Sequence, residues 1–334
     1  MTKMAISSIG VIGDGAWGTT LAKLLAEKGC AVSVWGPFPE NLAKMATTRE
    51  NARFLPGIVL PTGITYTERL EDLIAAHNCL LIAIPSQYLD PVLKRIAKLP
   101  LKGKAFVSVV KGIDVRNFKT MSQLVEARLG KVPLAVLSGP TIAVEVARKV
   151  PTTAVSASCN ARWMSEVQAL FSTDYFRVYT NPDVLGVEIC GSVKNIIALA
   201  CGVCDGLGFG TNTKAALLTR GLVEMKRLGV AFKAKPETFN GLTGLGDLAT
   251  TCFSPQSRNR HVGEEIGKGR PVDEILAGMA SVAEGVVTAK AVCRLSRKLK
   301  IDMPITQAVY DMVYTRRPPQ KVVADLMRRS LKKE

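Results

Sequence analysis

The chain has 334 residues, 47% hydrophobic and 22% charged, which is material for about two domains with sizeable cores. Its 44 Lys/Arg against 28 Asp/Glu leave a net charge of +16, a field that favours anionic partners: nucleic acid, an anionic membrane or small phosphorylated ligands. No apolar run nears the roughly 18 residues of a membrane span, and the N-terminal "MTKMAISSIGVIG" carries no secretory h-region, so neither insertion nor export is expected.

In chain order, "SIGVIG" reads as a short buried strand, followed by Gly13-Asp14-Gly15-Ala16-Trp17-Gly18 and the helix "TTLAKLLAEKG". The strand "AVSVW" and the helix "PENLAKMATTRE" come next. "NCLLIAIP" and "KAFVSVVKG" are further strands with the helix "PVLKRIAKL" between them, and "PLAVLSGP", "TTAVSAS" and "FRVYT" add more. Short continuous apolar strands separated by helices indicate a mostly parallel sheet covered on both faces. After Asn181-Pro182 the pattern becomes helical, beginning with the apolar "DVLGVEICGSVKNIIALACGVCDG". The expected organisation is an α/β Rossmann-like domain over residues 1–181 and an all-α domain over 182–334. The last stretch, Arg316–Glu334, reads as a basic, solvated helix.

A lone G-x-G-x-x-G is weak evidence, but this one lies between a strand and a helix and a second strand follows. Gly13 suits the tight turn, Gly15 the approach of a pyrophosphate, and Gly18 close helix–strand packing. A dinucleotide is therefore expected at the helix N-terminus. The second strand ends in Trp35-Gly36-Pro37-Phe38-Pro39-Glu40. It offers no acid at its end for the ribose hydroxyls of NAD, and no Arg for the phosphate of NADP.

Histidine, the usual proton carrier of a dehydrogenase, is scarce: His77 precedes a strand and His261 falls in a basic loop. Lysine is the next candidate. Lys111 follows "AFVSVV", at the carboxyl end of a strand; the alternative is a solvated loop lysine. Lys194 lies within the most apolar helix, where an ammonium needs a partner or a purpose unless it snorkels to water. Asn195 beside it is equally out of place. In "GLTGLGDLATTCFSPQSRNRH", Asp247 sits in a glycine-rich turn, and Arg258 and Asn259 suit a phosphate monoester, although a solvated basic loop would read the same way. The eight cysteines mostly sit among apolar neighbours, and Cys201-x-x-Cys204 lacks two further ligands, so no metal is expected and the setting reads as cytoplasmic.

Taken together, "GDGAWGTTLA", "AIPSQ", "VVKGI", "SGPTIAVEVA", the block from "FRVYTNPDVLGVEICGSVKN" to "GLVEM", "GLGDLATTC", "QSRNR" and "AEG" resemble the soluble bacterial-type NAD(P)-dependent glycerol-3-phosphate dehydrogenases over nearly the whole chain. The resemblance implies reduction of dihydroxyacetone phosphate to sn-glycerol 3-phosphate, a phospholipid precursor. It implies Lys194 as the acid/base, with Lys111 touching substrate and cofactor and Asn195, Asp247 and Thr251 lining the pocket. Arg258 and Asn259 would hold the phosphate, while Ser257, Gly139, Thr141 and Ala143 face ligand. Trp17 and Glu284 match cofactor contacts, as does Arg258. Ala16 stands where the family commonly has Ser, and Pro37 where it often has a basic or polar residue, so the choice between NAD and NADP stays open. A homodimer through the helical domain follows by the same analogy. The alternatives are a 6-phosphogluconate- or 3-hydroxyacid-type dehydrogenase, a non-catalytic dinucleotide sensor, or a nucleic-acid binder; for the last, no DNA-binding motif is present.

Overall fold

A computed structural model describes residues 6–279, 282–331 and 333; the start of the N-terminal segment and Lys332 and Glu334 of the basic tail lie outside the described residues. The chain divides into two compact units. The first runs to Lys111 and resumes from Lys119 to Glu188; the second takes Gly112–Phe118 and everything from Ile189. The division between these units lies after Glu188, where the sequence expectation was 181/182. The first turn of the helix that follows it packs with the first unit, where the buried Glu188 accepts from the Ser122 N–H at 2.7 Å and its hydroxyl at 2.5 Å. In turn, Gly112 N–H donates to Ser192 Oγ at 2.9 Å, which ties the 112–118 segment to the second unit.

The first unit contains β1 (Ser8–Ile12), α1 (Ala16–Glu27), β2 (Ala31–Trp35), α2 (Pro39–Thr48), β3 (Glu50–Asn51), β4 (Leu55–Val59), β5 (Ile64–Thr67), α3 (Leu70–Ala76), β6 (Cys79–Ile82), α4 (Leu89–Ile96), β7 (Ala105–Ser108), α5 (Met121–Leu129), β8 (Leu134–Ser138), α6 (Ala143–Ala147), β9 (Thr152–Ala157), α7 (Ala161–Phe171) and β10 (Phe176–Asn181). Eight strands form one sheet in the order β10-β9-β8-β7-β6-β1-β2-β5. Every neighbouring pair is parallel except β8–β9. Successive side chains of a strand point to opposite faces. Val11, Leu81 and Val107 accordingly join the core on one face, and Ile12, Ile82 and Phe106 the core on the other. Both faces are apolar because helices cover both.

The β3–β4 hairpin and the edge strand β5 carried no clear signal. Pro56, Gly57, Pro61 and Gly63 break the pattern between them, so the segment reads as loop.

The second unit is helical among the described residues: α8 (Val184–Gly206, its first turn in the first unit), α9 (Thr211–Ala231), α10 (Asp247–Phe253), α11 (Arg258–Gly267), α12 (Val272–Ala277), α13 (Glu284–Leu299), α14 (Pro304–Tyr314) and α15 (Pro319–Met327). Contrary to the sequence expectation, α8 is long and apolar enough to cross a membrane, but 89% of its most apolar window is buried inside the protein. It is a core helix.

α8 and α11 meet backbone to backbone. A Cβ on Gly202 would lie 1.9 Å from the Arg260 carbonyl oxygen, and one on Gly263 would lie 2.0 Å from that of Leu199. Gly206 and Gly267 repeat the contact one turn further on. Elsewhere in this unit, Glu224 is buried and caps α14 from α9, accepting from Ile305 N–H at 2.5 Å and from Thr306 N–H at 3.0 Å. Burial raises its pKa to about 7, against the pull of those bonds.

Three outcomes are expected. Gly263→Ala should lower stability by about 3 kcal/mol in urea denaturation, since backbone cannot yield as a side chain would. Gly63→Ala, which meets nothing within 4 Å, should stay within about 0.5 kcal/mol. Glu224 binds its proton more tightly folded than unfolded, so its contribution is present below pH 4.5 and is lost as pH rises through about 7. The loss is of order 3 kcal/mol. Glu224→Gln should flatten the stability slope between those pH values; an unchanged slope would assign it to other groups.

Candidate active site

The glycine loop leaves β1 at Gly13, whose φ of +124° and 2.4 Å approach of a would-be Cβ to the Ala83 carbonyl admit only glycine. Its N–H donates to the Trp35 carbonyl at 2.7 Å. Gly18 holds α1 against the strand end, since a Cβ there would lie 2.3 Å from the Gly13 oxygen. Gly15 differs from both. It caps α1 with no side-chain hydrogen bond, and a Cβ would meet nothing within 4 Å. The protein's own packing does not require glycine there. The open space lies over the N-terminus of a twelve-residue helix, and a pyrophosphate fits that cradle.

Ala16 and Trp17 begin α1 and are half-buried, with the Trp17 ring tilted against Phe176 at 6.3 Å. Pro37 is exposed just past β2. Asp14 is buried beneath Gly36, accepts from Asn41 at 2.8 Å, and burial holds its carboxyl above the usual range.

Further along the same sheet edge, Lys111 follows β7 and its Nζ donates to the Gly139 carbonyl at 3.5 Å. Thr141 Oγ1 donates to that oxygen at 3.2 Å. The Ala143 carbonyl accepts from Thr20 of α1 at 3.1 Å, which joins α6 to the glycine-loop helix. Gly13, Lys111 and Gly139 thus follow the carboxyl ends of β1, β7 and β8, where open parallel sheets take ligands. Sequence reading missed Ser138 here. Its Oγ is buried with no hydrogen-bond partner among the described residues, and nothing in "LAVLSGP" distinguishes it from a strand-end serine.

In the second unit, Lys194 Nζ donates to Asp247 Oδ1 at 2.7 Å and to Thr251 Oγ1 at 2.5 Å. The lysine side chain is 8% exposed and the aspartate 2%. The lysine therefore does not snorkel. Its partner comes from α10, which Asp247 begins after the wide helical turn Leu242–Gly246, rather than from a glycine-rich turn as expected. Thr251 in turn donates to the Asp247 carbonyl at 2.7 Å. Asn195 is 4% exposed, yet its side-chain amide makes no hydrogen bond among the described residues.

The segment read as a basic loop is α11, and His261 lies within it. Ser257 caps this helix, accepting from Arg260 N–H at 3.2 Å. Arg258 is its first residue, exposed and without an ion pair among the described residues, and the first turn holds no acid. A helix N-terminus favours negative charge, so a bare arginine there is frustrated until an anion arrives. Arg260, two residues on, is instead drawn to Asp205 at 2.6 Å. Asn259 Oδ1 accepts from Gly285 N–H at 2.9 Å, leaving its amide N–H groups for a ligand. Gly285 also lies so close to the Asn195 carbonyl that a Cβ would approach it to 2.5 Å. This contact gathers Asn195, Asn259 and Glu284, the first residue of α13, into one place.

Two family models match the chain: the NAD-dependent glycerol-3-phosphate dehydrogenase N-terminus over residues 8–164 and its C-terminus over residues 183–324. The chain belongs to this family. It is 48% identical to a glycerol-3-phosphate dehydrogenase (NAD(P)+) of Chlorobium limicola, with 98% of this chain and 99% of that one covered. It is 49% identical to the protein of the same name from Geobacter metallireducens, covering 98% of each. The crystal structure of glycerol-3-phosphate dehydrogenase from Coxiella burnetii matches with a TM-score of 0.94 at 37% identity, over 97% of this chain and 99% of that one. A D-mandelate dehydrogenase at 13% identity and a TM-score of 0.62 shares the fold alone.

The buried pair generates a prediction independent of catalysis. Lys194→Met or Asp247→Ala should each cost about 3–5 kcal/mol, because each strands a buried charge. The double variant Lys194→Met/Asp247→Ala should cost less than the sum of the two. A denaturation cycle with strictly additive losses would mean that the pair is uncoupled.

Proposed function

We propose that the protein reduces dihydroxyacetone phosphate to sn-glycerol 3-phosphate with NADH or NADPH, reversibly, supplying glycerophospholipid synthesis. The observation that carries the reading is the pairing, within one unit, of a buried Lys194–Asp247–Thr251 triad with an unpaired arginine at a helix N-terminus. The first is proton chemistry; the second is a receptor for a phosphate monoester.

Arg258, the Asn259 amide and the first N–H groups of α11 hold the phosphate, whose oxygens match the guanidinium fork. Asn195 donates to a substrate oxygen. Reduction builds negative charge on the ketone oxygen. Lys194, aimed by Asp247, stabilises that charge and delivers the proton. In the reverse direction the neutral amine removes it. Gly13, Gly15, Ala16, Trp17 and Gly18, with Pro37, Ala143, Arg258 and Glu284, would hold the cofactor, and a bound nicotinamide would supply the hydride. Lys111, Gly139 and Thr141 complete the substrate contacts, and Ser257 fixes the helix end that carries Arg258.

Eight free cysteines, seven of them buried, support a reducing cytoplasmic setting. Assembly as a homodimer through the helical unit belongs to the same reading.

The test is loss of nicotinamide absorbance with dihydroxyacetone phosphate. Lys194→Ala should lower kcat by roughly a thousandfold or more while cofactor binding persists. Arg258→Ala should raise KM for the phosphorylated ketone by roughly ten- to a hundredfold. Equal turnover of unphosphorylated dihydroxyacetone by the wild type would sink the phosphate assignment, and an active Lys194→Ala the proton-donor role.

A further inference from the structure

The end of β2 offers neither acid nor arginine, but the fold brings an arginine there from another element. Arg53 sits in the turn between β3 and β4, and its guanidinium lies 3.9 Å from the centroid of the Phe38 ring and 5.0 Å from that of Phe54. Phe38 is the N-cap of α2, immediately past β2, and remains 37% exposed. In a dinucleotide fold, the residues just past the second strand meet the adenosine ribose.

The turn carrying Arg53 is anchored to the glycine loop itself. Asn51, fully buried, donates to the Asp14 carbonyl at 2.7 Å and to Thr19 Oγ1 at 2.8 Å. Its Oδ1 accepts from Phe54 N–H at 3.2 Å, which closes the turn around Arg53. One buried asparagine thus sets the position of Arg53 relative to Gly13 and Gly15.

Arg53 is exposed and has no ion pair among the described residues. A guanidinium stacked by its face on an aromatic ring keeps its in-plane N–H groups available. The nearby Asp14 carboxylate interacts electrostatically with Arg53 but is buried against Asn41 and Gly36 and forms no ion pair with it. We propose that Arg53 is the clamp for the 2′-phosphate of an adenosine ribose, and that it makes the chain prefer NADP(H) over NAD(H). The proposal rests on the dinucleotide reading of the glycine loop. Its competitor is Glu40, exposed in the first turn of α2, which could accept from the ribose hydroxyls of NAD.

The experiment has two readouts on the full-length protein. Steady-state kinetics with dihydroxyacetone phosphate compare NADPH with NADH for wild type, Arg53→Ala, Arg53→Lys and Glu40→Gln. Calorimetry compares 2′,5′-ADP with 5′-AMP for the same proteins. Wild type should favour NADPH and 2′,5′-ADP. Arg53→Ala should raise KM for NADPH and weaken 2′,5′-ADP by roughly ten- to a hundredfold, leaving NADH, 5′-AMP and kcat within about twofold. Arg53→Lys should recover part of the loss. Equal losses with both cofactors would make Arg53 a structural or stacking residue and overturn the proposal. So would a wild type that favours NADH and loses that preference in Glu40→Gln. Failure to bind either nucleotide would overturn the dinucleotide reading itself, and this proposal with it.

Discussion

The approach of α8 to α11 is the constraint on which the second unit depends. Four glycines, two on each helix, let the backbones touch, and any larger side chain would force them apart. Lys194 and Asn195 lie on α8, just N-terminal to the crossing, while Arg258 and Asn259 open α11. The distance between the stretches of backbone that carry Lys194 and Arg258 is therefore fixed by packing rather than by flexible side chains. Gly285 extends the same device to a third helix, since its missing Cβ is what admits the Asn195 carbonyl and the Asn259 amide together. Interiors packed at this density transmit rather than absorb strain, so a change at the crossing reaches both ends.

The electrostatics follow from that frame. Burying a lysine inside an apolar helix is costly unless a counter-charge is buried with it. Asp247 meets that requirement, and Thr251 orients both by accepting from the amine and donating to the aspartate backbone. At α11 the opposite choice is made: Arg258 is left without a counter-charge, while Asp205 takes Arg260 and Lys214. One cation is satisfied internally and so suited to proton transfer; the other is unsatisfied and so suited to binding. The overall +16 is compatible with this division but would not have located it.

Much of the candidate site was legible because its residues violate local rules. A lysine and an asparagine in a continuous apolar helix, and glycines spaced for a turn and a close approach, stand out against the propensities around them. Partner choice was not legible: nothing local to Lys194 selects Asp247, because the pairing is made by α10 packing against α8. The α11 helix was hidden because Arg258, Asn259, Arg260 and His261 place four polar residues at its start, leaving only Val262 and Ile266 to mark its apolar face. The β3–β4 hairpin was hidden by its prolines and glycines, and with it the arginine that stands over Phe38. Motif reading looks for the ribose-binding residue along the second strand; here the fold supplies a candidate from the next supersecondary unit.

The three glycines of the loop show why a motif match and a structural reading carry different weight. Gly13 and Gly18 are required by protein atoms that lie where their Cβ would be, so any strand–turn–helix joint of this geometry would keep them. Gly15 has no such neighbour. A Cβ there would meet no protein atom within 4 Å, and Gly is itself an acceptable N-cap. The position therefore separates a structural joint from a binding loop more cleanly than the full motif does. In a protein that binds nothing at this helix end, Gly15 would be free to become the Ser, Asn or Asp that caps helices better. That it remains glycine over an open helix terminus is the local evidence that the space is kept for a ligand.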